Sequence, residues 1–148
     1  YDPRRADHWN HAGTFNNNVL TMAAGAVGLT EVFTEAAAVE LNARGDRLRQ
    51  KLNDVARAKE LPVTVTGIGS LMNIHFSAER VTSPVEVARA NAALKPLLHL
   101  DMLLNGIYLA RRGFIALSMP VTDADVDFAA ATFEAFLDRW SDLIAGGQ

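Results

Sequence analysis

Apolar residues change their spacing along this chain, and each change marks an element. From Val19 to Phe33 (VLTMAAGAVGLTEVF) they lie on nearly every side of a helical wheel and include many Ala and Gly. That pattern predicts a helix buried on several sides and closely approached by other backbone. From Thr34 the character shifts: Ala37, Leu41, Leu48, Leu52 and Val55 fall on one stripe, while Asp46, Arg47, Arg49, Lys51 and Asp54 lie mostly off it. This spacing predicts an amphipathic helix lying on a core. Gly45 interrupts it at a cost of about 1 kcal/mol relative to Ala. The two stretches form either one long bent helix or two joined near Phe33 to Glu35.

The segment LPVTVTGIGSLMNIHF turns to period two, with Val63 and Val65 on one face and Met72, Ile74 and Phe76 repeating the pattern after a Gly-Ile-Gly break. Two strands around a turn are predicted. Ser83, Pro84 and Glu86 make a capping-box start with Pro at the first helical position. Pro96 is expected to break or kink the helix that follows before Leu97 to Leu104 resumes it, and Asn105-Gly106 to end it. The runs IYLA and FIALS flank Arg111-Arg112-Gly113 and read as a second strand pair with charges at its turn. Thr122 with Asp125 caps a last helix whose stripe is Val126, Ala130, Phe133, Leu137, Trp140 and Ile144.

Helices, strands, helix, strands, helix, with the strands close enough in sequence to pair antiparallel, predict an α+β fold with helices on one face of a small sheet. A length of 148 residues suits one domain with a sizeable core, or one domain plus a fragment of another. Apolar residues at 49% and charged residues at 21% argue against disorder and coiled coil. Fourteen Lys and Arg against seventeen Asp and Glu, a net charge of -3, leave no electrostatic footprint for nucleic acid or an anionic membrane. Neither is expected as a partner. No cysteine is present, which removes disulfides, Cys-ligated zinc and thiol nucleophiles and permits a reducing cytoplasm, the expected location. No apolar run approaches the roughly 20 residues of a membrane span. The chain does not begin with Met, and the expectation is that it was cut from something longer.

Candidate chemistry is sparse. Gly13-Thr14-Phe15-Asn16-Asn17-Asn18 stands directly before a helix, where free backbone N–H groups and neutral side-chain donors would hold a small anion such as phosphate. The plainer alternative is that Asn17 or Asn18 caps the helix and Gly13 makes a turn. Gly67-Ile68-Gly69 lacks the third glycine and the following helix of a dinucleotide fingerprint, and reads as a turn. His8 and His11 lack a carboxylate cluster beside them, so no metal site is expected. His75 and His99 read as packed or surface residues rather than catalysts. Arg111 and Arg112 are either solvated turn charges or a bidentate clamp for a carboxylate.

HAGTFNNNVLTMAAGAVGL resembles the Gly-Thr-Phe-x-x-Asn-x-x-x-Met-Ala-Ala-Gly stretch of the class III pyridoxal-phosphate aminotransferases, in particular the branch related to glutamate-1-semialdehyde aminomutase. HLDMLLNGIYLARRGFIALSMPVTDADVD is similar to that branch's C-terminal region. The resemblance covers nearly the whole chain and implies the C-terminal small domain of a fold-type I enzyme. Residues 34–148 would form that domain, preceded by a long interdomain helix, and residues 1–33 would be the tail of the large cofactor-binding domain. It further implies a homodimer, an amino donor and a keto-acid acceptor as substrates, and a missing N-terminal part of the same enzyme. In this family the Gly-Thr pair meets the cofactor phosphate across the dimer interface, so Gly13, Thr14 and Phe15 inherit that role by position. The family's cofactor-bearing lysine precedes this motif by a few tens of residues, and no lysine stands before Thr14 here. The resemblance therefore assigns no catalytic residue to this chain and implies that it is inactive alone.

The aminomutases usually show Ser-Gly-Asn-Pro where this chain has Asn16-Asn17-Asn18-Val19, and Ala-Pro-Ser where it has Ala110-Arg111-Arg112. The departure favours a related aminotransferase over an aminomutase. The arginine pair suits a carboxylate-bearing substrate such as a β-amino acid.

Overall fold

The structure, a computed structural model, describes residues 4–9, 13, 15 and 18–147. They divide into two compact units, one reaching Ala38 and the other beginning at Val39.

In the first unit, Asn18 Oδ1 accepts the N–H of Thr21 at 3.1 Å and so caps α1, Val19–Val27. The helix continues into a π-helical turn, Gly28–Val32, which Phe33 N–H closes onto Gly28 O at 2.7 Å. Two helices result rather than one, the second opening where Thr34 Oγ1 accepts the N–H of Ala37. The burial expected for the first is not found: no residue of α1 or of the π turn is buried, and Leu20 is 80% exposed. Its Ala, Gly, Leu and Met surface is of a kind that soluble proteins cover, and this unit's described residues do not cover it.

Helix α2, Glu35–Ala58, starts in the first unit and continues into the second, where it buries Leu41, Gly45, Leu48, Leu52 and Ala56. β1, Val63–Ile68, and β2, Leu71–Phe76, pair antiparallel from Val63 against Phe76 to Ile68 against Leu71. Their two-residue loop places Gly69 first at φ +52°, the glycine that a tight hairpin turn demands. β3, Phe114–Ala116, adds antiparallel to β2, giving the order β1-β2-β3. Helices α3 (Pro84–Arg89), α4 (Leu94–Leu104), α5 (Asp123–Arg139) and α6 (Ser141–Gly146) complete the unit. The core joins Leu48, Leu52, Val65, Met72, Ile74, Leu98, Phe133 and Phe136, and the capping box of Thr122 with Asp125 opens α5 as its sequence requires.

Two expectations are corrected. Pro96 neither breaks nor kinks a helix, because it is the third residue of α4, where its missing N–H has no intrahelical partner to lose. The interruption falls earlier, at Ala90, whose backbone is extended. Nor is IYLA a strand. Only Ala110 bonds across, its N–H reaching Phe114 O at 3.3 Å, while Phe114–Ala116 takes its ladder from β2.

Helix α2 also seals the sheet's outer edge. Asn53 Oδ1 accepts the N–H of Val65, and Asn53 Nδ2 donates to Val65 O, both at 2.9 Å. Further along, Asp46 Oδ1 accepts the N–H of Gly69 and Asn42 Oδ1 that of Ser70. Gly45 lets the hairpin turn approach this closely: a Cβ there would lie 2.2 Å from Gly69 O and 2.7 Å from Ser70 Cα. On α2's other flank Arg47 pairs with Asp123 and Lys51 with Asp127, and just past its end Lys59 pairs with Asp138. No single helix among the described residues is long and apolar enough to cross a membrane.

Candidate functional site

The candidate residues fall in both units. In the first, Gly13 has φ +151° and Phe15 is exposed. Thr14, Asn16 and Asn17 lie outside the described residues, as does His11. Asn18 takes the capping role that the plainer reading allowed. Capping satisfies the Thr21 N–H but leaves the first N–H groups of α1 without intrahelical partners. Residues 13–22 contain no acid. The described donors, the Asn18 amide and the first backbone N–H groups at the positive end of α1, are of a kind that fits a phosphate group.

In the second unit the arginine pair occupies a tight turn, where the sequence pattern put it. Gly113 N–H donates to Ala110 O at 2.8 Å and Ala110 N–H to Phe114 O, while Gly113 lies at φ +80°. A three-residue hairpin loop closed by a left-handed glycine has this form. Gly113 also fits tightly beneath β2: its O accepts the N–H of Ile74 at 3.0 Å, and a Cβ on it would lie 2.9 Å from Ile74 O. Both arginines are exposed, and neither has a carboxylate within ion-pair distance among the described residues. The Arg112 guanidinium lies 5.4 Å from the centroid of the Phe114 ring.

Beneath the turn, Lys95 Nζ donates to Asn73 Oδ1 at 3.2 Å, and burial lowers its pKa. The other lysines are tied into ion pairs, Lys51 with Asp127 and Lys59 with Asp138 and Glu134. His75 is buried, with Nε2 3.0 Å from Thr66 Oγ1 and with Nδ1 lacking any hydrogen-bond partner among the described residues. Burial, then the charge of Lys95, lowers the pKa of His75. Its unfolded form therefore takes up a proton more readily than its folded form. The stability this contributes is complete above about pH 6.5 and is lost as pH falls toward the lower folded value. His75→Gln is expected to flatten the decline of melting temperature as pH falls below about 6.5. An unchanged decline would show that other groups cause it.

Sequence reasoning did not foresee the roles of three residues. Asp101 is buried and accepts from Arg139 Nη1 at 2.6 Å, from Trp140 Nε1 at 2.9 Å and from Asn105 Nδ2 at 3.2 Å. His99 donates from Nδ1 to Leu109 O at 2.8 Å, and Phe114 supports Arg112. An acid within the apolar run of α4 was the one available signal.

The small α+β unit with its three-stranded antiparallel sheet matches the C-terminal part of known enzymes. The homologues of this chain are class III aminotransferases and glutamate-1-semialdehyde aminomutases, over the C-terminal part of their length. The β-phenylalanine transaminase of Variovorax paradoxus is 45% identical over 137 residues, 93% of this chain and 31% of that protein. The crystal structure of a β-phenylalanine aminotransferase from the same organism superposes with a TM-score of 0.89 at 44% identity, covering 97% of this chain and 33% of the other. A glutamate-1-semialdehyde 2,1-aminomutase of Nitratidesulfovibrio vulgaris is 36% identical over 119 residues, 80% of this chain and 28% of that protein. An omega-transaminase of Sphaerobacter thermophilus superposes with a TM-score of 0.74 at 30% identity, covering 93% and 32%. This chain thus spans about a third of the length of the relatives it matches. No family model matches it.

Proposed function

We propose that this chain is the C-terminal segment of a pyridoxal-phosphate-dependent aminotransferase whose amino donor is a β-amino acid and whose acceptor is a keto acid. Residues 1–33 would then be the tail of the large domain and 34–148 the small domain. The observation that carries the substrate reading is the turn from Ala110 to Phe114, which presents two guanidiniums that no carboxylate of the described residues neutralises. The 45% identity to a β-phenylalanine transaminase supports the reaction class.

When bound, the cofactor supplies the electron sink for moving the amino group. This chain's residues do the holding. Gly13 and Thr14 would donate to the phosphate, with Phe15 beside them. Arg112 would take the substrate carboxylate through the N–H groups of its fork, while its contact with the Phe114 ring supports the guanidinium from one side. Arg111, at the preceding turn position, would remain solvated. The uncovered apolar surface of α1 and its π turn supports assembly as a homodimer together with the N-terminal part of the enzyme. The cytoplasm is the proposed location.

The longer protein, supplied with a β-aryl-β-amino acid and a 2-oxo acid, is expected to transfer the amino group between them. The 148-residue chain alone, given the cofactor and then borohydride, is expected to show no stoichiometric covalent label by intact mass. Its lysines are engaged with Asn73 and with the acids of α5. Turnover by the longer protein without added 2-oxo acid would indicate an aminomutase. Labelling of one lysine in the short chain, accompanied by amino transfer, would defeat the segment reading.

A further inference from the structure

The geometry points to His99 as a positioning residue that sets the substrate-facing arginine through the backbone of Leu109; this rests on the proposal that Arg112 reads a carboxylate. Residues 107–110 form the arm that carries the arginine turn, and they lie outside the sheet ladder. The arm's backbone is fixed at its ends, by Ile107 N–H on Met102 O at 2.8 Å and by Ala110 N–H on Phe114 O at 3.3 Å. Between them, His99 Nδ1 meets Leu109 O at 2.8 Å, and the Tyr108 ring packs edge-on against the imidazole with centroids 5.9 Å apart. A carbonyl can only accept, so His99 carries its proton on Nδ1 in this contact.

His99 is itself held firmly. It follows Leu98, which is fully buried, and precedes Asp101, which Arg139 and Trp140 tie to the end of α5. The chain of support therefore runs from the α5 end through α4 and His99 to Leu109, three residues before Arg112. A substrate-positioning group displaced by about 1 Å can lose on the order of a hundredfold in rate, so one hydrogen bond at this arm has leverage on recognition without touching substrate.

The test uses the full-length holoenzyme. His99→Ala is expected to raise KM for the β-amino acid about tenfold and to weaken binding of 3-phenylpropanoate, measured by calorimetry, by a similar factor. Turnover of an arylalkylamine without a carboxylate should change less than twofold. His99→Asn, whose Nδ2 replaces the donor, should recover most of the loss. If His99→Ala does not fold, His99→Phe keeps the ring against Tyr108, removes the donor, and should show the same KM rise. In an Arg112→Gln background, His99→Ala should add nothing, since both act through one contact. If Arg112→Gln weakens carboxylate binding while His99→Ala and His99→Phe do not, the positioning role is refuted and the carboxylate reading stands. Equal losses for the amine and the amino acid would reduce His99 to a structural residue. If Arg112→Gln leaves carboxylate binding intact, the carboxylate reading fails first, and this inference with it.

Discussion

Gly45→Ala is expected to destabilise the second unit by about 3 kcal/mol, although the same change at an ordinary mid-helix position gains about 1 kcal/mol. The sign reverses because the added methyl would meet backbone: Gly69 O at 2.2 Å, Gly69 C at 2.6 Å and Ser70 Cα at 2.7 Å. A flexible side chain could swing aside. A hairpin turn held by Asp46 and Asn42 cannot retreat without losing both bonds. Urea unfolding should show a lower midpoint at unchanged slope, the signature of lost stability without a change in surface exposed. A midpoint equal to or above that of the unaltered chain would mean that the turn backs away freely and that Gly45 is an accident of helix composition.

Arg112→Gln in the full-length enzyme is expected to raise KM for a carboxylate-bearing donor ten- to a hundredfold, equivalent to about 1.4 to 2.7 kcal/mol. Arg111→Gln should change it less than threefold. Both arginines sit at the turn's exposed positions, but among the described residues only Arg112 lies over a ring, that of Phe114, at 5.4 Å from its centroid. A guanidinium already oriented by a ring loses less freedom on pairing with a carboxylate, and its fork matches the two oxygens. Lysine at position 112 should rescue only partly, because an ammonium cannot reproduce two parallel N–H donors. A larger effect from Arg111→Gln would move the assignment to the other arginine. If KM is unaltered in both variants, the turn is a solvated one and the carboxylate is bound elsewhere.

Elements whose identity depends on their own spacing were legible in the sequence. The β1 and β2 alternation, the Thr122-Asp125 cap and the stripe of α5 as far as Leu137 stand where the pattern put them, whereas the expected single last helix breaks at Trp140, so that Ile144 belongs to α6. Where a distant partner decides, the pattern could not speak. IYLA has the composition of a strand, yet His99, ten residues earlier, takes the carbonyl of Leu109, and β2 has already claimed Phe114–Ala116. The reason for Gly45 lies 24 residues away, at Gly69, and leaves no periodic trace. The composition of α1 records the cover it is built for, which these residues do not supply. At the candidate site the arginine pair and its place in a turn were legible, but the Phe114 support was not, because nothing in the spacing tells which ring a turn side chain will meet.

The amide of Asn53 has a consequence for assembly. By offering Val65 both an acceptor and a donor, it stands in for one residue of a neighbouring strand. β1 therefore does not present at its middle the bare peptide groups on which a foreign strand could template itself. Sheet growth by addition at this side, whether by a second copy, an unfolded neighbour or an amyloid-like stack, would first have to evict a side chain anchored to α2. The same Nδ2 also donates to Arg49 O within the helix. Conversion of this one amide to a carboxylate would keep an acceptor for the Val65 N–H but set an oxygen against the carbonyls of Val65 and Arg49, so the side chain would hold the edge by one bond instead of two.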